Sequence, residues 1–192
     1  MTTICLIRHG ETDWNLKGQL QGSTDIPLND TGVRQAEESA AYLNAEDYDV
    51  LIASPMKRAK RTAEIINSSL NLPFEEMEDF AERSFGDAEG LTMDERTAQY
   101  PDKQYPNQEE PEDFIKRVMN GVDKVIEKYP DKRVLLVAHG AVINAILTTV
   151  SGGEIGAGKT RLMNACISNI HYKQEKWKVV DYNQVGHLSD GV

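Results

Sequence analysis

The chain reads as one α/β domain, a mixed and mostly parallel sheet with helices on both faces. Short runs rich in Val, Ile and Leu alternate with longer amphipathic segments, the pattern of strands joined by crossover helices. Runs such as Thr3-Ile-Cys-Leu-Ile7 and Val134-Leu-Leu-Val-Ala138 are apolar at nearly every position, as strands buried on both faces are. No repeat or linker interrupts the 192 residues, a length that suits one domain.

Residues 3–7 form the first strand. Asp30-Thr31-Gly32 caps a helix from Val33 to Leu43, whose apolar residues recur at helical spacing. Asp49-Val-Leu-Ile-Ala53 is the second strand. Ser54-Pro55 opens a helix running to Ser69, with Pro55 where a missing N–H costs nothing. A third strand is expected over 73–77. The stretch 80–110, punctuated by Gly86, Gly90, Pro101 and Pro106, is expected to be irregular. Glu112 to Tyr129 gathers Phe114, Val118, Val122, Val125 and Ile126 into one helical stripe. Then come strand 133–138, a helix through Val150, a Gly-rich loop at 152–158, and strands near 165–173 and 176–182. Residues 183–192 read as a loose tail on this single domain of 1–192.

The net charge of −10 argues against a nucleic-acid partner, which demands a basic face. The acid concentrates in Glu75-Glu76-Met-Glu78-Asp79 and Glu109-Glu110-Pro-Glu112-Asp113, both read as solvated surface. An anionic substrate therefore needs a locally basic pocket. Cys5 and Cys166 both fall in apolar runs and read as small buried hydrophobes. With no charged leader and no apolar segment of ~20 residues, no membrane association is expected and the location reads as cytoplasmic. A monomer and a homodimer fit the sequence equally.

The chemistry concentrates at strand ends. Arg8-His9-Gly10 follows the first strand, and Ala138-His139-Gly140 follows the strand at 133–138. Ligands of open α/β sheets bind beyond the carboxyl ends of strands, so the two His-Gly pairs are expected to converge. Arg58 lies one turn into the helix after the second strand, and Glu82 sits in the turn-rich stretch. The set suits phosphoryl transfer through a covalent histidine. A neutral imidazole attacks with one nitrogen bare, the other N–H being held by a carbonyl or carboxylate. Arginines lower its pKa and fork onto phosphoryl oxygens. A second, protonated histidine adds a donor, and one carboxylic acid protonates the leaving oxygen. No metal or other cofactor is required. His171 and His187 lack this context and read as structural.

Gly153-Glu-Ile-Gly-Ala-Gly158-Lys159-Thr160 matches the nucleotide-binding pattern G-x-x-x-x-G-K-[ST]. That loop needs a strand before it and a helix after it. Here the order is reversed, so the glycines read as a helix-to-strand connection.

Leu6-Ile-Arg-His-Gly-Glu-Thr-Asp-Trp-Asn15 resembles the signature of the histidine phosphatase superfamily, the phosphoglycerate-mutase-like proteins. The resemblance continues through Gln21-Gly22, Asp25-Ile-Pro-Leu28, Thr31-Gly32, Ser54-Pro55 with Arg58-Ala59 and Thr62-Ala63, Glu82 with Gly86 and Glu89-Gly90, and Ala138-His139-Gly140. Asn164-Ala-Cys-Ile-Ser168 is similar to that family's late strand. The resemblance implies that His9 is the phosphorylated nucleophile, that Arg8, Arg58 and His139 make the phosphate pocket, and that Glu82 is the proton donor. It implies that Asn15, Gln21, Gly22 and Gly140 line the substrate site. The partner is then a small phosphorylated metabolite. Bisphosphoglycerate-dependent mutases of the family typically carry Thr-Gly where this chain has Gln21-Gly22, and a longer insertion before the second histidine. Asp87, Glu89, Asp94 and Glu95 are expected to repel a second acidic substrate group, which favours a phosphatase over a mutase. A phosphate-binding or regulatory protein without turnover is the third reading, and the proton donor Glu82 speaks against it.

Overall fold

The structure, a computed structural model, describes residues 1–189. Strands β1 (Thr2–Arg8), β2 (Val50–Ala53), β3 (Phe74–Glu76), β4 (Arg133–Ala138), β5 (Ile167–Lys173) and β6 (Lys176–Gln184) form one six-stranded sheet in the order β3-β2-β4-β1-β5-β6. Strands β1 to β4 run parallel, while β5 pairs antiparallel with β1 and β6 antiparallel with β5. Between them lie α1 (Asp13–Lys17), α2 (Asp30–Tyr42), α3 (Lys57–Leu70), α4 (Met93–Gln99), α5 (Pro111–Lys128) and α6 (Gly140–Val150).

Alternation along the strands builds two cores. Ile4, Leu6, Val50, Ile52, Val134 and Leu136 point to one face and meet α5 and α6 through residues such as Val118, Val122, Val142 and Ile146. Cys5, Ile7, Leu51, Ala53, Leu135 and Val137 point to the other and meet Ala40 of α2 and Ala59, Ala63 and Ile66 of α3. The central strands are therefore apolar throughout because neither face sees water. Burial pushes the Cys5 and Cys166 thiols up to about 12 and about 11, which keeps them protonated and inert.

Three expectations are corrected. The helix after β2 begins at Lys57, with Pro55 outside it and Arg58 as its second residue. Its first turn is capped from a distant segment, since Asp25 Oδ1 accepts the Lys57 N–H at 2.8 Å. The stretch 80–110 contains α4, held by a reciprocal capping box between Thr92 and Glu95. The expected loose tail is anchored over its described part. Residues 183 and 184 close β6, Leu188 is buried, and Asn183 holds the loop before β5 by donating to the Arg161 carbonyl and accepting the Met163 N–H. Residues 190–192 of that tail lie outside the described residues. The Gly-rich segment 153–160 does join α6 to β5 and has no strand before it.

Candidate active site

Parallel register brings the site together. Arg8 pairs with Ala138 and Ala53 with Val137, so the next residues along, His9, His139 and Ser54, arrive at one sheet edge. The ladder runs one step past the strands. The His9 N–H donates to the Ala138 carbonyl and the Ser54 N–H to the Val137 carbonyl, both at 3.0 Å. The two imidazole centroids end 5.3 Å apart, tilted by 60°, near the ~4.8 Å spacing of adjacent strands.

His9 is buried, and its Nδ1 lies 2.7 Å from the Gly10 carbonyl oxygen. A carbonyl only accepts, so this bond assigns the proton to Nδ1 and leaves Nε2 with its lone pair. Burial, then Arg58 and Arg8, hold the His9 pKa well below the ordinary 6.5, against the Gly10 bond that pulls it up. The turn is tight: a Cβ on Gly10 would fall 2.4 Å from the Gly32 carbonyl oxygen. The Gly10 N–H donates to Thr62 Oγ1 of α3 at 3.1 Å, which fixes the turn to the helix that carries Arg58.

His139 is equally buried, and its surroundings disfavour the protonated form expected of a second histidine. Burial, then Arg58, His9 and Arg8, hold its pKa well below 6.5 as well. Ser54 supplies another route to a donor. Its Oγ accepts the Met56 N–H at 3.3 Å and lies 2.7 Å from His139 Nε2. Among the described residues Nε2 is the one acceptor recorded for the Ser54 O–H, and with the hydroxyl donating to it the ring proton falls on Nδ1. That Nδ1 is buried without a protein partner. Sequence reasoning reads Ser54 only as a helix start and part of a motif. Its place just past the strand beside β4 is the signal that finds it.

The two arginines are pinned by backbone carbonyls. Arg8 Nη1 donates to Leu162 O at 2.5 Å, and Arg58 Nη1 and Nη2 donate to Thr24 O and Gly22 O at 2.9 and 2.7 Å. In both, Nε is buried and has no protein partner. Burial lowers both pKa values, yet a guanidinium keeps its charge at any ordinary pH. Arg8 Nε, Arg58 Nε and His139 Nδ1 are thus three N–H donors, on residues whose charges act on the His9 ring or share its field.

Glu82 stands at the N-terminus of α6. Its Oε2 accepts the Ala141 N–H at 3.1 Å and its Oε1 the Arg83 N–H at 3.0 Å. His139, the N-cap residue, makes no side-chain cap bond, so Glu82 caps the helix in its place. Burial raises the Glu82 pKa, opposed by the Arg83 and Ala141 N–H groups and by Arg58 and Arg8. A carboxyl raised in this way holds a proton further toward neutral pH than an exposed one.

The other expected site residues are placed less uniformly. Gly140 packs against Arg8, whose Nε would lie 3.3 Å from a Cβ there. Asn15 lies in the same cleft as Arg8 and Gly140, but its Oδ1 already accepts from the Thr12 N–H and Asn164 Nδ2, each at 3.1 Å. Gln21 is buried behind Thr12, whose Oγ1 donates to Gln21 Oε1 at 2.6 Å. Gly22 reaches the pocket through its carbonyl on Arg58. Of the acids expected to repel a second anionic group, Glu89 accepts from the Ser23 and Phe85 N–H groups, clamps two loops together and acts on Arg58, Asp87 accepts from Asn107, and Glu95 closes the α4 capping box. The cleft lining holds Arg96 and Arg161 instead, neither singled out by the sequence.

Among the described residues, no cluster of three or more His, Cys, Asp or Glu side chains could hold a metal ion, and no helix is long and apolar enough to cross a membrane. The model of the histidine phosphatase superfamily, branch 1, matches residues 4–185. An uncharacterised phosphatase, PhoE, of Bacillus subtilis (strain 168) is 57% identical over 189 residues, covering 98% of each chain. A metal-independent phosphoserine phosphatase of Arabidopsis thaliana is 34% identical over 203 residues, 98% of this chain and 84% of that one. Among solved structures, a histidine-to-alanine variant of phosphoserine phosphatase from Entamoeba histolytica, in complex with phosphoserine, superposes with a TM-score of 0.86 at 27% identity, over 98% of this chain and 100% of that one. Two histidines at neighbouring strand ends, with a family match that spans nearly all of the chain, place this protein in the histidine phosphatase superfamily.

Proposed function

We propose that the chain hydrolyses small phosphomonoesters through a phosphohistidine at His9. The family model and the Bacillus subtilis and Arabidopsis thaliana relatives are those of phosphatases, and the chain is a phosphomonoester hydrolase. The observation that supports the mechanism is the set of three buried, unpartnered N–H donors around a neutral histidine with one bare nitrogen. Buried polar groups in native proteins are nearly always satisfied. A phosphoryl group offers three equatorial oxygens and would satisfy all of them.

In the first step His9 Nε2 attacks phosphorus and the P–O ester bond breaks, while Glu82 gives its proton to the leaving oxygen. In the second, the Glu82 carboxylate takes a proton from water as the water oxygen attacks phosphorus. The P–N bond breaks, releasing inorganic phosphate and neutral His9. Arg8, Arg58 and His139 donate to the oxygens whose charge builds in both steps. The phosphoserine bound in the Entamoeba histolytica structure makes small phosphorylated metabolites the natural class to test.

His9→Ala is expected to lower kcat/KM for p-nitrophenyl phosphate at least ~1,000-fold. The wild-type enzyme, quenched during turnover, should carry acid-labile and alkali-stable phosphate that the variant lacks. Turnover that survives the substitution would sink the mechanism. The mutase reading gains from the cleft, whose lining has no carboxylate. Inorganic phosphate released from 3-phosphoglycerate, with no 2-phosphoglycerate formed when bisphosphoglycerate is added, separates the two.

A further inference from the structure

Arg8 belongs both to the phosphate pocket and to a cleft of about 550 Å³ that opens beside it, lined also by Asn15, Arg96, Asn144 and Arg161. In a chain with a net charge of −10, this lining contains three arginines and no acid. Arg8 already faces the phosphoryl position. Arg96 and Arg161 are left for something else.

The segments that carry both are tied to other parts of the chain. Arg96, on α4, donates from Nη1 to the Leu91 carbonyl at 3.1 Å. The segment before it is laced to the 19–20 strip by the Leu20 N–H on Leu91 O at 3.0 Å and the Gly90 N–H on Leu20 O at 2.7 Å. Arg161 sits on the loop after the Gly-rich segment, its carbonyl held by Asn183 Nδ2 at 3.0 Å, and its guanidinium makes no hydrogen bond or ion pair among the described residues. It lies near enough to Arg8 to depress the Arg8 pKa. Glu82 partly offsets the Arg8 charge, but Arg161 adds a like charge beside it, and an anion between the two guanidinium groups relieves that repulsion. Asn144, on the same lining, carries a buried Oδ1 without a partner, an acceptor for a ligand O–H or N–H.

We propose that Arg96 and Arg161 form a second-anion site, so that the preferred substrates are small phosphomonoesters bearing a further carboxylate or phosphate on the leaving group. This rests on the phosphatase reading above and deepens it. The phosphoryl group sits on His9 and Arg58, and the second anion lies across the cleft from Arg8. Guanidinium groups suit this task because their planar N–H edge matches an oxyanion.

The test compares substrates of nearly equal shape. Glycerol 3-phosphate carries a neutral hydroxymethyl group where 3-phosphoglycerate carries a carboxylate, and propane-1,3-diol bisphosphate carries a second phosphate. Wild-type kcat/KM is expected to favour one or both anionic substrates over glycerol 3-phosphate by roughly ten-fold or more, the scale of a charge-assisted contact. In Arg96→Gln, Arg161→Gln and the double variant that ratio should collapse toward one, mainly through KM. Whichever anionic substrate is preferred distinguishes carboxylate from phosphate. A wild-type ratio near one, or a ratio unmoved in the double variant, overturns the proposal. If p-nitrophenyl phosphate is not hydrolysed at all, the hydrolytic reading has failed instead. Calorimetric titration of the same ligands into the His9→Ala protein then decides the second-anion site by affinity alone. Equal affinities overturn it, and a preference lost in Arg96→Gln/Arg161→Gln upholds it.

Discussion

The least conspicuous residue of the pocket sets the state of its most visible partner. Ser54 stands between the Met56 N–H and His139 Nε2, and its hydroxyl decides which nitrogen of His139 bears the proton. Ser54→Ala leaves the fold little changed but frees His139 to adopt either tautomer. The expected result is a ~10–100-fold lower kcat for phosphomonoesters, with a smaller change in KM, because the lost donor matters most as charge builds. Ser54→Thr, which restores the hydroxyl, should recover most of the activity. Equal loss in both variants would assign Ser54 a packing role only. His9 and His139 were legible in the sequence because a histidine-glycine pair behind a buried strand is an unusual local signal. Arg58 was not legible from its neighbours, since Lys57, Lys60 and Arg61 share its segment. What distinguishes it is burial to 1% exposure and the Thr24 and Gly22 carbonyls, all contributed by distant chain.

Helix ends carry the second layer of organisation. The starts of α3 and α6 borrow their caps from Asp25 and Glu82, which lie far away in sequence. No local pattern announces such caps, which is why α3 begins two residues or so later than Ser54-Pro55 suggests and why Glu82 is marked only by the family motif. By contrast, α4 carries the readable signal Thr92-x-x-Glu95, masked by the prolines that follow it. The borrowed cap gives Glu82 two separable roles. Glu82→Gln keeps an acceptor for the Ala141 N–H, whereas Glu82→Ala removes it and should cost a further ~1 kcal/mol of stability in urea unfolding. Both should slow substrates with poor leaving groups far more than p-nitrophenyl phosphate. Both should also flatten the fall in kcat/KM at high pH, since loss of the Glu82 proton governs that limb. If the two classes of substrate slow equally, the acid is another group.

Across the whole molecule, the buried imidazoles make stability depend on pH with a definite sign. His9 and His139 have folded pKa values below their ordinary 6.5, so below that pH the unfolded chain binds protons that the folded chain refuses. Stability is therefore fully present above about 6.5 and is lost as pH falls, by up to ~1.4 kcal/mol per pH unit for each histidine. Glu82, with its raised pKa, works the other way, losing stability as pH rises from its ordinary 4.5. Urea midpoints between pH 5 and 7 should fall more steeply for the wild type than for His9→Asn/His139→Asn, a difference in which Glu82 largely cancels. Parallel slopes would contradict the neutral buried pair. The sheet order has a consequence of another kind. The interval between the two imidazoles lies close to the repeat distance of the β-ladder, because two adjacent strands set the backbone positions from which they hang. Arg96 and Arg161 hang from segments outside that ladder. Transplanting the 83–99 and 152–163 segments between relatives should thus exchange one diet for another while the caliper that grips the phosphorus keeps its setting.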